Sequence, residues 1–472
     1  MRQVAIIGGG ISALATAYIL QEKAKKQNIA LGVKVFEKEN RIGGKIWSRR
    51  EDDYLCEWGP NGFLTNKPQT LELCKSLGLS EQLLASNDNA RKRFVYANGV
   101  LHKLPHNQIE FLTNSLISWR GKLRIAREFF VAKRDSKNDE SLADFARRRL
   151  GDEALAKLIA PMAGGIFAGD PEQMSLQGCF PRIYQLEQEY GGLLKAMLRL
   201  TKQHRVEKSA GKVSASPAGP GGVLTSFTDG IQVLTDKLGS AIGAENIICG
   251  GAVTSLKRSP VGGWQILLKD QAYFADEVIL STPAYASADL VNSFAPKLAN
   301  LLQQINYSPL AVVCLGYDAN ELDCDVQGFG YLLARGEEIP ILGTLWDSSI
   351  FAKRAPNGKI LFRTMLGGAV RPELLKLSDN EIQQLVQDSL AKIMKITATP
   401  ELVRIYRHEQ AIPQYRVGHT QLVAQIMENT TQFNGLHLNN NAYSGVGIND
   451  CVAAAYRMAD KLIGKFNCDS LV

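Results

Sequence analysis

The opening of this chain constrains its fold more than any later stretch. Val4-Ala5-Ile6-Ile7 reads as a strand and runs straight into Gly8-Gly9-Gly10-Ile11-Ser12-Ala13, after which Leu14, Ala17 and Tyr18 begin an apolar helical pattern. A second strand, Val33 to Phe36, ends on Glu37. Strand, glycine turn, helix, strand and acid fall in the order of the G-x-G-x-x-G/A fingerprint of a dinucleotide-binding βαβ unit, with alanine in third place. Gly8 permits the tight turn and Gly10 removes the side chain that would block a pyrophosphate. Ala13 lets the helix pack close to the strand, while the helix N-terminus at Ile11 and Ser12 faces the phosphates. The Glu37 carboxylate can accept from a ribose 2′-hydroxyl and would repel a 2′-phosphate, which disfavours NADP.

The same fingerprint serves NAD, so the cofactor is decided elsewhere. Lys38 and then Arg41-Ile42-Gly43-Gly44-Lys45 directly follow Glu37, giving a second close backbone approach with cations near the pyrophosphate. At the far end, Asn441-Ala442-Tyr443-Ser444-Gly445-Val446-Gly447-Ile448-Asn449-Asp450 leads into an amphipathic helix carrying Val452, Tyr456, Ala459, Leu462 and Ile463. The N–H groups of a helix N-terminus suit the negative charge that a flavin gains on reduction. Both chain ends are therefore expected to meet on FAD, although the C-terminal glycine segment taken alone is equally a plain loop-to-helix turn.

At 472 residues the chain is too long for one ordinary core, so two or three domains are expected. Its net charge of +7 is not gathered into one tract, which argues against a dedicated nucleic-acid binder. The eight cysteines are scattered without a C-x-x-C pair, so a reduced compartment is expected and zinc or structural disulfides are not. No apolar run is long enough to span a bilayer, and the chain begins with a strand rather than a targeting segment. The expected location is the cytoplasm or the cytoplasmic face of the inner membrane.

The fold class expected is α/β: a Rossmann-like FAD-binding domain, an antiparallel-sheet substrate domain and a helical, membrane-associated lobe. The FAD-binding domain is assigned to 1–64, 224–285 and 404–464, and the substrate domain to 65–92 and 286–403. The lobe takes 93–223, with charged helices at Glu140 to Leu150 and Glu153 to Ile159. Residues 208–222, rich in Ser, Gly, Pro and Ala, read as a flexible loop. Strand patterns near 308–317, 328–334, 340–346 and 359–366 suggest the antiparallel sheet.

Further motifs carry a resemblance. Glu57-Trp58-Gly59-Pro60-Asn61-Gly62-Phe63-Leu64, Arg93-Phe94-Val95-Tyr96, Gly165-Ile166-Phe167-Ala168-Gly169-Asp170-Pro171, Ala411-Ile412-Pro413-Gln414-Tyr415 with Gly418-His419, and Gly445-Val446-Gly447 occur in one order along the chain. Together they resemble the protoporphyrinogen oxidase family within the FAD-dependent amine oxidase superfamily, over nearly the whole length. Ala13 departs from the usual third glycine, and Asn440 stands where a glycine often precedes Asn-Ala-Tyr. The resemblance implies non-covalent FAD, with Gly59, Pro60, Asn61, Gly62 and Val253 joining the cofactor-binding set. It implies six-electron oxidation of protoporphyrinogen IX to protoporphyrin IX in haem biosynthesis, with O2 as acceptor and no acid or base residue required. Arg93 matches the position that meets a substrate propionate. Phe329, Leu332, Leu345 and Met365 match positions that wall the macrocycle, and Gly165 matches a glycine beside it. Hand-over to a ferrochelatase and a homodimer are further implied.

Within 111–134, Leu112, Leu116, Trp119, Leu123, Ala126 and Phe130 recur at helical spacing among Arg120, Lys122, Arg124, Arg127, Lys133 and Arg134. This basic amphipathic pattern fits a peripheral membrane surface and equally a helix seated on its own core. Three alternatives stay open: a coproporphyrinogen III oxidase, an amine oxidase or carotenoid desaturase on the same scaffold, and a porphyrin carrier that keeps FAD for structure.

Overall fold

Strand β1 (Arg2–Ile7), helix α1 (Ile11–Lys26) and strand β2 (Leu31–Phe36) form the βαβ unit that the opening sequence predicts. They belong to a computed structural model that describes residues 1–135, 138–209, 222–260 and 262–469. β1 is the middle of a five-stranded parallel sheet, flanked by β2 and then Ile247–Ile248 on one side, and by β3 (Glu277–Leu280) and Leu436–Leu438 on the other. Strands of a parallel sheet are covered on both faces and read as aliphatic runs. One face of this sheet packs on α1 and helix α2 (Ile448–Asp469), and the other on helices that begin at Ala284 and Pro296. The two chain ends therefore share one core: Leu14, Leu20, Val452 and Leu462 are all buried in it.

The second layer is a seven-stranded sheet, mostly antiparallel, built on the twelve-residue strand Tyr307–Asp318. Gly330–Leu333, Gly343–Trp346 and Lys359–Gly367 lie where the sequence patterns place them. Leu402–Pro413 also pairs with Tyr307–Asp318, so most of that stretch lies in this sheet rather than with the dinucleotide unit. Arg93–Ala97 and Val100–Lys103 form its far edge, so the helical lobe begins only after them. Inter-strand partners far along the chain, 86 to 106 residues away for Leu402–Pro413 and 237 for Arg93–Ala97, decide these memberships rather than local pattern.

The lobe contains Leu142–Arg149, Asp152–Ala154 and a wide turn over Leu155–Ile159, as its charged patterns suggest. Inside it, the Arg149 guanidinium is wholly buried between Glu128 (2.5 Å) and Glu187 (2.7 Å). The stretch 111–134 is not one amphipathic helix. It breaks into Gln108–Thr113, Trp119–Ala126 and a turn at Arg127–Phe130, because the Asn107 and Ser118 side chains accept from Glu110 N–H and Gly121 N–H and start new helices. Leu116 is buried, and Lys122 is turned inward to donate to the carbonyls of Leu112 and Asn114, both at 2.7 Å. Residues 210–221, most of the expected flexible loop, lie outside the described residues.

Candidate active site

The Gly8 turn sits directly on the end of β3. At φ +104°, a Cβ there would stand 3.1 Å from the backbone of Ser281 and Thr282, so only glycine fits. At Gly10 an added Cβ meets nothing within 4 Å, and that open space belongs to the cavity described below. Gly10 is the N-cap of α1, whose first turn carries neither an acidic residue nor a side-chain cap, leaving its positive end to an outside anion. The Gly43–Gly44 loop closes over this turn: Gly43 N–H donates to Gly9 O at 2.8 Å, and a Cβ on Gly44 would lie 3.2 Å from Gly10 Cα.

Glu37 directly follows β2, with its side chain buried. One carboxylate oxygen accepts from Gly9 N–H at 2.6 Å and the other from Glu39 N–H at 2.9 Å, so the acid fixes the glycine turn while facing the cavity. The neighbouring cations do more local work than the sequence suggests. Arg41 lies over the Trp47 ring at 3.9 Å and donates to Gly44 O at 2.7 Å. Lys45 donates to Gln410 O at 2.7 Å and to Ala411 O, joining this loop to the seven-stranded sheet, and burial pulls its pKa down to about 8. Lys38 stays exposed beside Glu39.

The next wall comes from Glu57 to Gly62. Glu57 is fully buried and accepts from Ser48 Oγ (2.6 Å) and Ile231 N–H (3.0 Å); burial still raises its pKa, against the opposing pull of Arg354. Gly59 O accepts from Arg363 at 2.6 Å, and Arg363 is itself buried with its Nε 2.9 Å from Asp347. Trp58 lies between Trp47 and Tyr406, with ring centroids 3.5 and 4.3 Å away and planes tilted by 40° and 32°.

At the far end of the chain, Tyr415 donates to Asn441 O at 2.5 Å and accepts from Gly445 N–H at 2.8 Å. Asp450 accepts from Gly447 N–H at 3.2 Å. Two N–H groups of this glycine segment are thus already held by the protein, which narrows the set left for a cofactor. Asn440, the departure from glycine, has a task of its own: it donates to Thr282 O and accepts from Ala442 N–H at 2.7 Å, tying the segment to the end of β3.

The slot lies on one face of the seven-stranded sheet. Strand alternation turns Leu332, Leu345, Arg363 and Met365 towards the cavity, while Tyr331, Leu333, Trp346 and Leu366 enter the core behind them. Arg93 pairs in register with Gly330, and its guanidinium lies 5.0 Å from the centre of the Phe329 ring. Arg93 stays exposed, and partial burial still lowers its pKa from the ordinary value. A Cβ on Gly165 would stand 3.0 Å from the Leu332 methyls, so the helix here rides directly on the slot wall.

One cavity of about 2460 Å³ joins these parts. Gly8, Gly10, Ile11, Ser12, Glu37, Lys38, Arg41, Gly43, Gly44 and Lys45 line it, as do Gly59, Pro60, Asn61, Gly62, Val253, Gly445, Val446 and Gly447. So do Arg93, Gly165, Phe329, Leu332, Leu345 and Met365. Ala13 does not; it is fully buried behind the turn, in the core shared by α1 and β1. Sequence reasoning missed Arg363, a charge at an inward position of the strand KILFRTMLG, where burial alone is the signal. It also gave no role to Tyr415 or His419, although both lie in motifs that it singled out.

The sequence profile of the flavin-containing amine oxidoreductases matches residues 11–463. The chain belongs to that family. It is an oxidoreductase and its cofactor is FAD. Coproporphyrinogen III oxidase of Bacillus subtilis (strain 168) is 32% identical over 462 residues, spanning 96% of each chain. The chloroplastic protoporphyrinogen oxidase of Nicotiana tabacum is 30% identical, across 97% of this chain and 85% of that one. A crystal structure of a provisionally assigned protoporphyrinogen oxidase from Exiguobacterium sp. 255-15 superposes with a TM-score of 0.82 at 26% identity, covering 98% of both chains. The cavity fits FAD on its own evidence. Besides the uncapped turn and the open space at Gly10, the buried Asn61 Nδ2, Ser281 Oγ and His419 Nε2 line it without a partner among the described residues.

Proposed function

We propose that this oxidoreductase oxidises protoporphyrinogen IX to protoporphyrin IX with O2 as acceptor, in haem biosynthesis. The observation that carries the reading is the continuity of one cavity, from the uncapped turn of α1 to an apolar slot with a guanidinium at its rim. Bound FAD would supply two-electron hydride acceptance, and the overall six-electron oxidation balances with three O2 consumed and three hydrogen peroxide formed. The chain's own residues orient and enclose. Phe329, Leu332, Leu345 and Met365 would hold a flat macrocycle by its faces and keep water out, so that positioning rather than acid–base chemistry sets the rate. Arg93, stiffened over Phe329, would meet a propionate through paired N–H donors.

Coproporphyrinogen III is the second reading, favoured by the 32% identity to the Bacillus subtilis enzyme. It carries four propionates where protoporphyrinogen carries two propionates and two vinyls. The aliphatic walls at Leu332, Leu345 and Met365 suit vinyls better than carboxylates. Parallel oxygen-consumption assays separate the two: higher kcat/KM for protoporphyrinogen IX supports the first reading, and the reverse order replaces it with the second.

We further propose peripheral membrane contact through the lobe. Among the described residues no helix is long and apolar enough to cross a membrane. Trp119, Leu123 and Phe130 are 67%, 65% and 83% exposed, with Arg120 and Arg127 also at the surface between them. The protein should float with anionic vesicles and lose that behaviour in the double variant Trp119→Asp, Phe130→Asp. Wild-type protein left behind by such vesicles would refute the contact.

A further inference from the structure

The Gly418-His419 dipeptide has so far no task. His419 opens helix α3 (His419–Thr430), and its ring stacks on Tyr415 with centroids 4.0 Å apart and planes 9° from parallel. The side chain is only 5% exposed and lines the cavity, yet Nε2 has no hydrogen-bond partner among the described residues. A buried imidazole nitrogen left unsatisfied asks for a group supplied from outside the chain. Tyr415 shows where that group would lie. Its hydroxyl holds Asn441 O and Gly445 N–H, so the ring stack is braced against the 441–447 segment. Burial lowers the His419 pKa to about 4, although Ala442 O and Asp139 favour the charged form. The ring is therefore neutral near pH 7, with one nitrogen able to donate and the other to accept.

We propose that His419 is a positioning residue for FAD, hydrogen-bonding the bound cofactor through Nε2 beside the 441–447 segment. The inference rests on FAD binding and not on the porphyrinogen assignment, so a failed substrate assay leaves it intact. Its rival is a purely structural ring that completes the stack on Tyr415.

Two holoenzyme variants distinguish these. His419→Phe keeps a flat ring over Tyr415 and deletes the nitrogen, whereas His419→Gln loses the ring and keeps a donor and an acceptor. The rate of FAD release on dilution, read from the rise of flavin fluorescence, should increase about tenfold in His419→Phe, equivalent to about 1.4 kcal/mol. The visible flavin bands should shift with it. His419→Gln should release FAD within about threefold of the wild-type rate, since a hydrogen bond of that kind is restored. Wild-type release with an unchanged spectrum in His419→Phe overturns the proposal, and so does faster release from His419→Gln than from His419→Phe. Wild-type protein with 13C-labelled histidine Cε1 gives a readout that needs no stable Phe variant: the His419 signal, assigned with His419→Gln, should move when FAD is removed. A stationary signal also overturns it.

Discussion

Replacing Glu37 by Ala tests how the cofactor end is built. The side chain is 7% exposed, and its two oxygens hold Gly9 N–H at 2.6 Å and Glu39 N–H at 2.9 Å. The substitution removes both bonds, together with the acceptor expected for a ribose hydroxyl. Hydrogen bonds to a charged group contribute about 1.5–3 kcal/mol each. Water that enters the opened space recovers part of the loss, so about 3 kcal/mol is the net weakening expected of FAD binding. That corresponds to a dissociation constant about 150-fold higher. The assay is the flavin-to-protein absorbance ratio after purification, followed by FAD release on dilution. The variant should emerge largely colourless and bind added FAD weakly, with Glu37→Gln in between because one acceptor remains. A fully yellow Glu37→Ala protein, releasing FAD within about threefold of wild type, would refute the reasoning from these bonds.

Two other outcomes follow from the same geometry. Arg93→Ala should raise KM about tenfold to thirtyfold and leave kcat nearly unchanged, because a remote anchor contributes mostly uniform binding; steady-state oxygen consumption with an unchanged KM would remove Arg93 from the substrate site. His419 makes stability pH-dependent. Its folded pKa of about 4 lies below the ordinary 6.5, so on acidification the unfolded chain takes the proton first. The stability that neutral His419 preserves is complete above pH 6.5 and is lost as pH falls towards 4, by up to about 3 kcal/mol. Urea midpoints of His419→Phe should therefore depend less on pH across that window than those of wild type; parallel curves would contradict the burial argument.

What the sequence revealed follows the range of the interactions. The βαβ opening was readable because strand, turn, helix and acid lie within thirty-seven residues and their geometry is local. Both glycine loops were readable for the same reason, since they are turns before they are binding sites. The apolar slot was legible only through resemblance, because Leu332, Leu345 and Met365 look like any inward strand residues until the sheet places them on one face. Arg363 and Tyr415 escaped because their partners, Gly59 and Gly445, lie 304 and 30 residues away. The seven-stranded sheet claimed Leu402–Pro413 through pairing with Tyr307–Asp318, which no local pattern announces. The 111–134 stretch failed differently. Ser118, the N-cap that starts a new helix inside it, is visible in the sequence, and the apolar spacing runs straight across that residue.

The central claim is that both ends of the chain bind FAD against a slot that admits a porphyrinogen, and anaerobic titration of the purified yellow protein with protoporphyrinogen IX tests it most directly. The flavin bands should bleach as the porphyrinogen is added, and admission of air should restore them while protoporphyrin fluorescence appears. A flavin that stays oxidised with protoporphyrinogen IX and with coproporphyrinogen III alike would contradict the account.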